Sequence, residues 1–219
     1  YDEVFGKELD DINKYDPVDH KDAYAREHML EYAHRTIDQT RKVVKELCGK
    51  NKITSERYVM NKPKQLLHDI IGRIDYETNK LFIELKTKPP SIIKKKGKDE
   101  YYFKTQPLGD DAVFDAYWGQ VAFYWKCTGK KPFLVLVNDK EYLIYDDTHA
   151  ALYDDHLEYQ YNMMVKRIYN WEQMIIYCKG DLQKLADISE PPDLNHYYHY
   201  KYLTDKQRKI IKKQWGLDA

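Results

Sequence analysis

Three residues in a short stretch could act together on a phosphate: Asp75, then Glu84 and Lys86 in Leu81-Phe82-Ile83-Glu84-Leu85-Lys86. Alternate residues of a strand share a face, so Glu84 and Lys86 point one way while Leu81, Ile83 and Leu85 point to the core. Asp75 ends a second β-rich run, Leu66 to Asp75, and a polar turn at Glu77-Thr78-Asn79-Lys80 joins the two. Paired as an antiparallel hairpin, they set Asp75 within about two positions of Glu84. Two carboxylates beside a backbone carbonyl make a hard-oxygen site suited to Mg²⁺ or Mn²⁺, one or two ions. Such ions activate water and neutralise charge on a scissile phosphate, and a neighbouring lysine helps hold both. An Asp…Glu-x-Lys pattern alone also describes an ordinary charge pair on an exposed strand.

The elements around these residues can position them. A helical pattern runs from Asp16-Pro17-Val18-Asp19 through Ala23, Met29, Ile37 and Val44 to Leu47, with an acidic N-cap, proline in the first turn and Gly49 as the stop. Residues 53–60 read as a strand. Residues 87–107 read as a lysine-rich loop. An aromatic helix capped by Asp110 and Asp111 then reaches Thr128, with Gly129 as its stop. Lys131–Val137 and Glu141–Tyr145 form a second hairpin. Helices follow at roughly 155–178 and 181–188, and a last one opens on the capping-box pattern Thr204-Asp205-Lys206-Gln207. This order predicts an α/β domain with a mixed central sheet flanked by helices over 1–150, and a helical C-terminal extension over 151–219 packed on the same domain.

Composition narrows the classes. Acids and bases balance at 36 each, but unevenly: residues 1–22 hold eight acids against three lysines, while Lys86–Lys104 holds seven lysines against Asp99 and Glu100. A neutral total is compatible with a polyanionic partner, which responds to local fields. The three scattered cysteines, Cys48, Cys127 and Cys178, predict reduced thiols in a reducing compartment and offer no zinc spacing. No apolar run approaches the ~20 residues of a membrane span, so no membrane partner is expected.

Four elements in order carry a family resemblance: His34-x-x-Ile37-Asp38 on the first helix, Gly72-x-x-Asp75, Glu84-Leu85-Lys86-Thr87, and Gln120-x-x-x-Tyr124 on the aromatic helix. Together they resemble the RecB-type nucleases of the PD-(D/E)XK superfamily, with a layout also similar to the mitochondrial genome-maintenance exonuclease and to phage exonucleases. The resemblance spans about residues 28–145. It implies a restriction-endonuclease-like fold and a metal-dependent DNA exonuclease acting on single-stranded or end-bearing DNA. The expected setting is the cytoplasm of a bacterium or phage-infected cell, with a mitochondrion left open. In roles, the resemblance implies Asp75, Glu84 and the Leu85 carbonyl as metal ligands, with His34 as a further ligand and His28 its rival. Lys86 would orient the attacking water, and Gln120 and Tyr124 would line the site and touch DNA or the lysine. The usual glycine before the histidine is missing, and three cysteines are too few for the iron–sulfur cluster of some relatives, so none is expected.

Weaker signals remain open between a function and a bland alternative. Lys88, Lys94, Lys95, Lys96 and Lys98, with Tyr101 for base stacking, either guide single-stranded DNA to the site or form a solvated loop. Tyr117, Trp118, Phe123 and Trp125 read as core. His68 and the His196–Tyr200 run read as structural or surface. An endonuclease of the same superfamily, cutting DNA like a restriction enzyme or RNA in cap-snatching fashion, is the alternative activity. A catalytically silent nucleic-acid binder is the alternative outside enzymes.

Overall fold

A computed structural model describes residues 19–109, 115–189 and 203–214. Its elements are α1 (His20–Cys48), β1 (Thr54–Asn61), β2 (Ile70–Glu77), β3 (Leu81–Thr87), β4 (Ser91–Lys94), β5 (Tyr101–Lys104), α2 (Asp115–Thr128), β6 (Lys131–Val137), β7 (Tyr142–Tyr145), α3 (Asp154–Cys178), α4 (Leu182–Ile188) and α5 (Asp205–Gln214). The chain divides into two compact units. One comprises the described parts of Tyr1–Asn61 with Ile70–Tyr161, the other Lys62–Asp69 with the described parts of Asn162–Ala219. The boundary between the units falls within α3, and the second unit includes Lys62–Asp69.

The first unit is a mixed five-stranded sheet in the order β1-β2-β3-β6-β7. Its pairs are antiparallel except β3 with β6, which run parallel with Leu81 opposite Lys131 and Thr87 opposite Val137. A parallel pair needs a crossover, and the chain between β3 and β6 contains α2. β6 is apolar through Phe133-Leu134-Val135-Leu136-Val137 and buried throughout, as expected for a strand covered on both faces. One face packs Ile83, Phe133, Val135 and Val137 against Val43, Val44 and Cys48 of α1. The other carries Phe82, whose ring meets Tyr124 of α2 edge-on at 6.0 Å.

Helix ends follow capping chemistry. Asp19, rather than Asp16, caps α1 by accepting the Asp22 N–H at 2.8 Å; Asp16 and Pro17 lie outside the described residues. At the other end Gly49 takes φ +56° and donates its N–H to the Lys45 carbonyl, an end that favours glycine. The proposed caps of α2, Asp110 and Asp111, are also outside the described residues. The stretch Leu66–Asp69 is not part of β2.

Residues 87–107 depart from the expected loop. β4 and β5 pair as a small antiparallel sheet around Gly97, with Ile92 opposite Phe103. Phe103 sits 5.3 Å from the Tyr24 ring and 5.8 Å from that of Tyr32 on α1, which anchors the hairpin. The signal missed was the Ile92-Ile93 and Tyr101-Tyr102-Phe103 pairing across a Lys-Gly turn.

In the second unit, Glu172 on α3 accepts the Leu67 N–H at 2.9 Å and the His68 N–H at 3.1 Å, with His68 Nδ1 3.0 Å away. α5 opens on the expected capping box: Thr204 donates its N–H to Gln207 Oε1 at 2.8 Å, and Gln207 returns its N–H to Thr204 Oγ1 at 3.3 Å.

Candidate active site

The hairpin that carries Asp75 and Glu84 is closed at one end and open at the other. β2 and β3 pair only at Tyr76–Ile83 and Glu77–Phe82, next to the turn. Beyond those pairs β2 follows β1 and β3 follows β6, so the sheet forks. Continuing the register sets Asp75 opposite Glu84 at the first unpaired position. There the Asp75 side chain takes the place of a strand: its Oδ2 accepts the Leu85 N–H at 2.8 Å. A backbone donor left over by the fork thereby fixes one carboxylate oxygen.

Glu84 and Lys86 share a face, as alternation requires, but the face is covered rather than exposed. Glu84 is 2% exposed. Lys86 Nζ donates to Glu84 Oε1 and, at 2.8 Å, to Gln120 Oε1 on α2. It also lies 4.9 Å from the Tyr117 ring centroid, within cation–π range. Gln120 Nε2 donates to Tyr124 OH at 2.9 Å, and Tyr124 OH donates to the Arg73 carbonyl at 2.8 Å while accepting the Arg73 N–H at 3.2 Å. This chain of bonds joins both arms of the fork, β3 through Lys86 and β2 through Arg73, to one helix. The i,i+4 spacing of Gln120 and Tyr124 lets one helix face serve both. Gly72 allows the close approach: a Cβ there would lie 2.5 Å from Tyr124 Cε1 and 2.8 Å from Phe123 Cε1, and both rings are buried.

Electrostatics mark the fork as unsettled. Burial, and then the charge of Asp75, push Glu84 up to about 7 against the pull of Lys86. Its Oε2 is buried without a hydrogen-bond partner. Asp75 is also raised, first by burial, with the Leu85 N–H and Lys86 opposing. Two acids that burial disfavours as anions, beside a buried oxygen with no donor, suit an additional positive charge. Asp75, Glu84 and the Leu85 carbonyl are the groups present to hold a divalent cation. Among the described residues no group of three or more His, Cys, Asp and Glu side chains converges as a metal site. A cation here would therefore keep water in its shell, as Mg²⁺ commonly does.

A cavity of about 910 Å³ opens beside Asp75, between α1 and the sheet, lined by residues including Tyr32, Thr36, Ile37, Glu56, Asp75 and Leu85. His34 is not among its lining residues and is exposed. His28 lies against Tyr24, ring centroids 4.3 Å apart, and 3.8 Å from Glu27. The structure brings neither histidine to Asp75. α1 instead presents Tyr32, whose OH donates to the Lys88 carbonyl at 2.6 Å.

The lysines of 88–98 are divided. Lys88 Nζ lies 5.6 Å from the Tyr117 centroid, on the Lys86 side, and burial lowers its pKa. Lys94 and Lys95 are ion-paired across the hairpin with Asp99 at 2.7 Å and Glu100 at 2.8 Å, while Lys96 and Lys98 are exposed at its turn. Tyr101 rests near Lys94, 5.9 Å from Nζ to ring centroid, and Tyr102 is the more exposed neighbour. Of the aromatic helix, Trp118 and Phe123 are buried as expected, whereas Tyr117 lies under Lys86. Sequence reasoning missed Glu56, which lines the cavity with Asp75 and is 2.5 Å from Arg73. The signal was an acid placed in β1 so that an unbroken register would face it to Asp75.

No family model and no curated protein matches the chain. Among solved structures it is similar to one described as the crystal structure of SSO0001, with a TM-score of 0.35 and 17% identity, covering 66% of this chain and 58% of that one. Overlap that slight bears on neither fold family nor chemistry.

Proposed function

We propose that the chain is a metal-dependent DNA exonuclease with a restriction-endonuclease-like core of the PD-(D/E)XK superfamily, RecB type, acting on single-stranded or end-bearing DNA. One observation carries the reading: a forked strand pair holds Asp75, Glu84 and Lys86 together, and Gln120 and Tyr124 tie both arms to one helix. Asp75, Glu84 and the Leu85 carbonyl would hold Mg²⁺ or Mn²⁺. When bound, the cation supplies an acidified water and charge neutralisation at the phosphate. Lys86, fixed by Gln120 above the Tyr117 ring, orients the attacking water and faces the developing negative charge. Burial excludes bulk water around Glu84 and strengthens each of these interactions. Lys88 adds positive charge on the same side, where it would meet a neighbouring phosphate. Gln120 and Tyr124 act as positioning residues.

The test uses the purified chain with end-labelled linear single-stranded and duplex DNA, a closed circular single strand as control, and Mg²⁺, Mn²⁺ or EDTA. The expected result is metal-dependent shortening of linear strands with the circle intact. Cleavage of the circle would replace the exonuclease by an endonuclease of the same superfamily. No cleavage of DNA or RNA would overturn the enzyme reading.

A further inference from the structure

The β1–β2 pair continues past the fork, and its two faces differ. Val59 and Ile74 are buried, and a Cβ at Gly72, opposite Val59, would meet Phe123 and Tyr124 of α2. Alternation turns the intervening residues to the other face. There the cross-strand pairs are Tyr58 with Arg73 and Met60 with Ile71. Tyr58 is 69% exposed, Met60 64% and Ile71 65%. Apolar side chains gathered on one open face mark a binding surface, unlike exposed residues scattered singly.

The neighbours and the size of this face decide what it fits. Arg73 is joined to Glu56, and Glu56 lines the cavity beside Asp75, so the face leads into the candidate site. The Arg73 and Glu56 side chains are 56% and 53% exposed, and an ion pair that open is weak enough for the arginine to turn to another anion. A stable protein interface covers about 800 Å² and roughly 20 residues on each side, far more than four side chains present. An unpaired nucleic-acid strand matches them better. Aromatic rings and guanidinium planes stack on exposed bases, and arginine also meets phosphate. A duplex keeps its base faces stacked inside and offers this surface only its backbone.

We propose that this face binds an unpaired DNA strand leading to the fork, with Tyr58 stacking on a base and Arg73 exchanging Glu56 for a phosphate. Tyr58 is then the residue that selects single strands over duplex. The inference rests on the nuclease reading for the strand's destination, but binding tests it.

The experiment measures fluorescence anisotropy in EDTA with three labelled probes of equal length: an oligothymidine strand, an abasic strand with the same phosphates, and a duplex. Thermal melting checks the folding of each variant. Wild type should bind the base-bearing strand at least about fivefold tighter than the abasic strand or the duplex, the scale of one stacked base. Tyr58→Ala should lose that preference, and Tyr58→Phe, which keeps the ring, should retain it. Arg73→Gln should weaken the base-bearing and abasic strands alike and reduce the salt dependence by about one phosphate contact. A wild type without the preference, or a Tyr58→Ala variant that keeps it, would overturn the inference; metal-dependent cleavage by the same preparation would leave the nuclease reading standing. A wild-type dimer that Tyr58→Ala dissociates, with single-strand affinity unchanged, would assign the face to a second copy instead. Neither binding nor cleavage by wild type would overturn both readings.

Discussion

Two glutamates of the same strand pair are almost closed to solvent and have opposite character. Glu77, at the closed end, is 3% exposed; Glu84, at the fork, is 2% exposed. Glu77 receives Arg57 on both oxygens, one bond 2.7 Å long, and Lys130 as well, and Lys130 also donates to the Thr78 carbonyl at 2.6 Å. Burial alone would raise its pKa, but these cations take it below the ordinary glutamate value. Glu84 has Lys86 on one oxygen and nothing on the other, and rises to about 7. Solvent exposure alone therefore does not separate a site from a structural ion pair. The difference is whether the protein itself completes the carboxylate's charge and hydrogen bonding. At the turn it does; at the fork the task is left to something from outside.

The largest expected effect separates the two ends by chemistry. Lys86→Ala or Glu84→Ala should lower DNA cleavage on the order of a thousandfold or more, the scale for loss of a charge-stabilising group. Glu77→Gln should cut normally per folded molecule in the same assay; equal loss at both ends would erase the distinction. Next in size is pH. In metal-free protein Glu84 holds its proton when folded up to about pH 7 but loses it when unfolded near the ordinary 4.5. The unfolded state then binds fewer protons, so stability falls between these values, by at most roughly 3 kcal/mol. Melting temperatures from pH 4 to 8 should show this fall in wild type and not in Glu84→Gln.

Glu77 has the reverse sign. Its contribution is present above the unfolded pKa and is lost as pH falls through the lower folded one. Glu77→Gln at pH 7 should therefore destabilise the fold by about 2 kcal/mol in denaturant titration, discounted because Arg57 is 41% exposed. A stabilised Glu77→Gln would place the two glutamates in one class. The smallest effect concerns the link between the arms. Tyr124→Phe removes the hydroxyl that bonds Arg73 and Gln120 and should cost about 1 kcal/mol. Cleavage should fall several-fold, far less than in Lys86→Ala.

These contrasts were only partly legible in the sequence. Period-two alternation and the polar turn located β2, β3 and the neighbourhood of Asp75, Glu84 and Lys86, because local patterning governs a hairpin. Alternation also led to the expectation that Glu84 and Lys86 project outward. Their coverage by α2 depends on β3 pairing with β6, a contact distant in sequence that no local pattern encodes. Gln120 and Tyr124 were visible through their helical spacing and the family resemblance, whereas their hydrogen-bond partners were not. The histidine element shows the opposite outcome. His34 matched a motif by spacing, yet the face of α1 turned to the cavity carries Tyr32, Thr36 and Ile37. The lysine cluster read as one basic loop because composition does not show that Asp99 and Glu100 would fold back onto Lys94 and Lys95. Glu56 went unnoticed since its nearness to Asp75 depends on how β1 pairs with β2.

The parallel pairing of β3 with β6 also has a consequence in time. A chain emerging from the ribosome presents Asp75, Glu84 and Lys86 before α2 and β6 exist. β3 gains its far neighbour only when Lys131–Val137 has been made and has crossed back to lie alongside it. Until then Lys86 has no Gln120 to align it, and Glu84 stands in water as an ordinary acid. The order of strands thus delays assembly of the candidate site until β6 has been made, and a shorter nascent fragment displays its reactive residues without their arrangement.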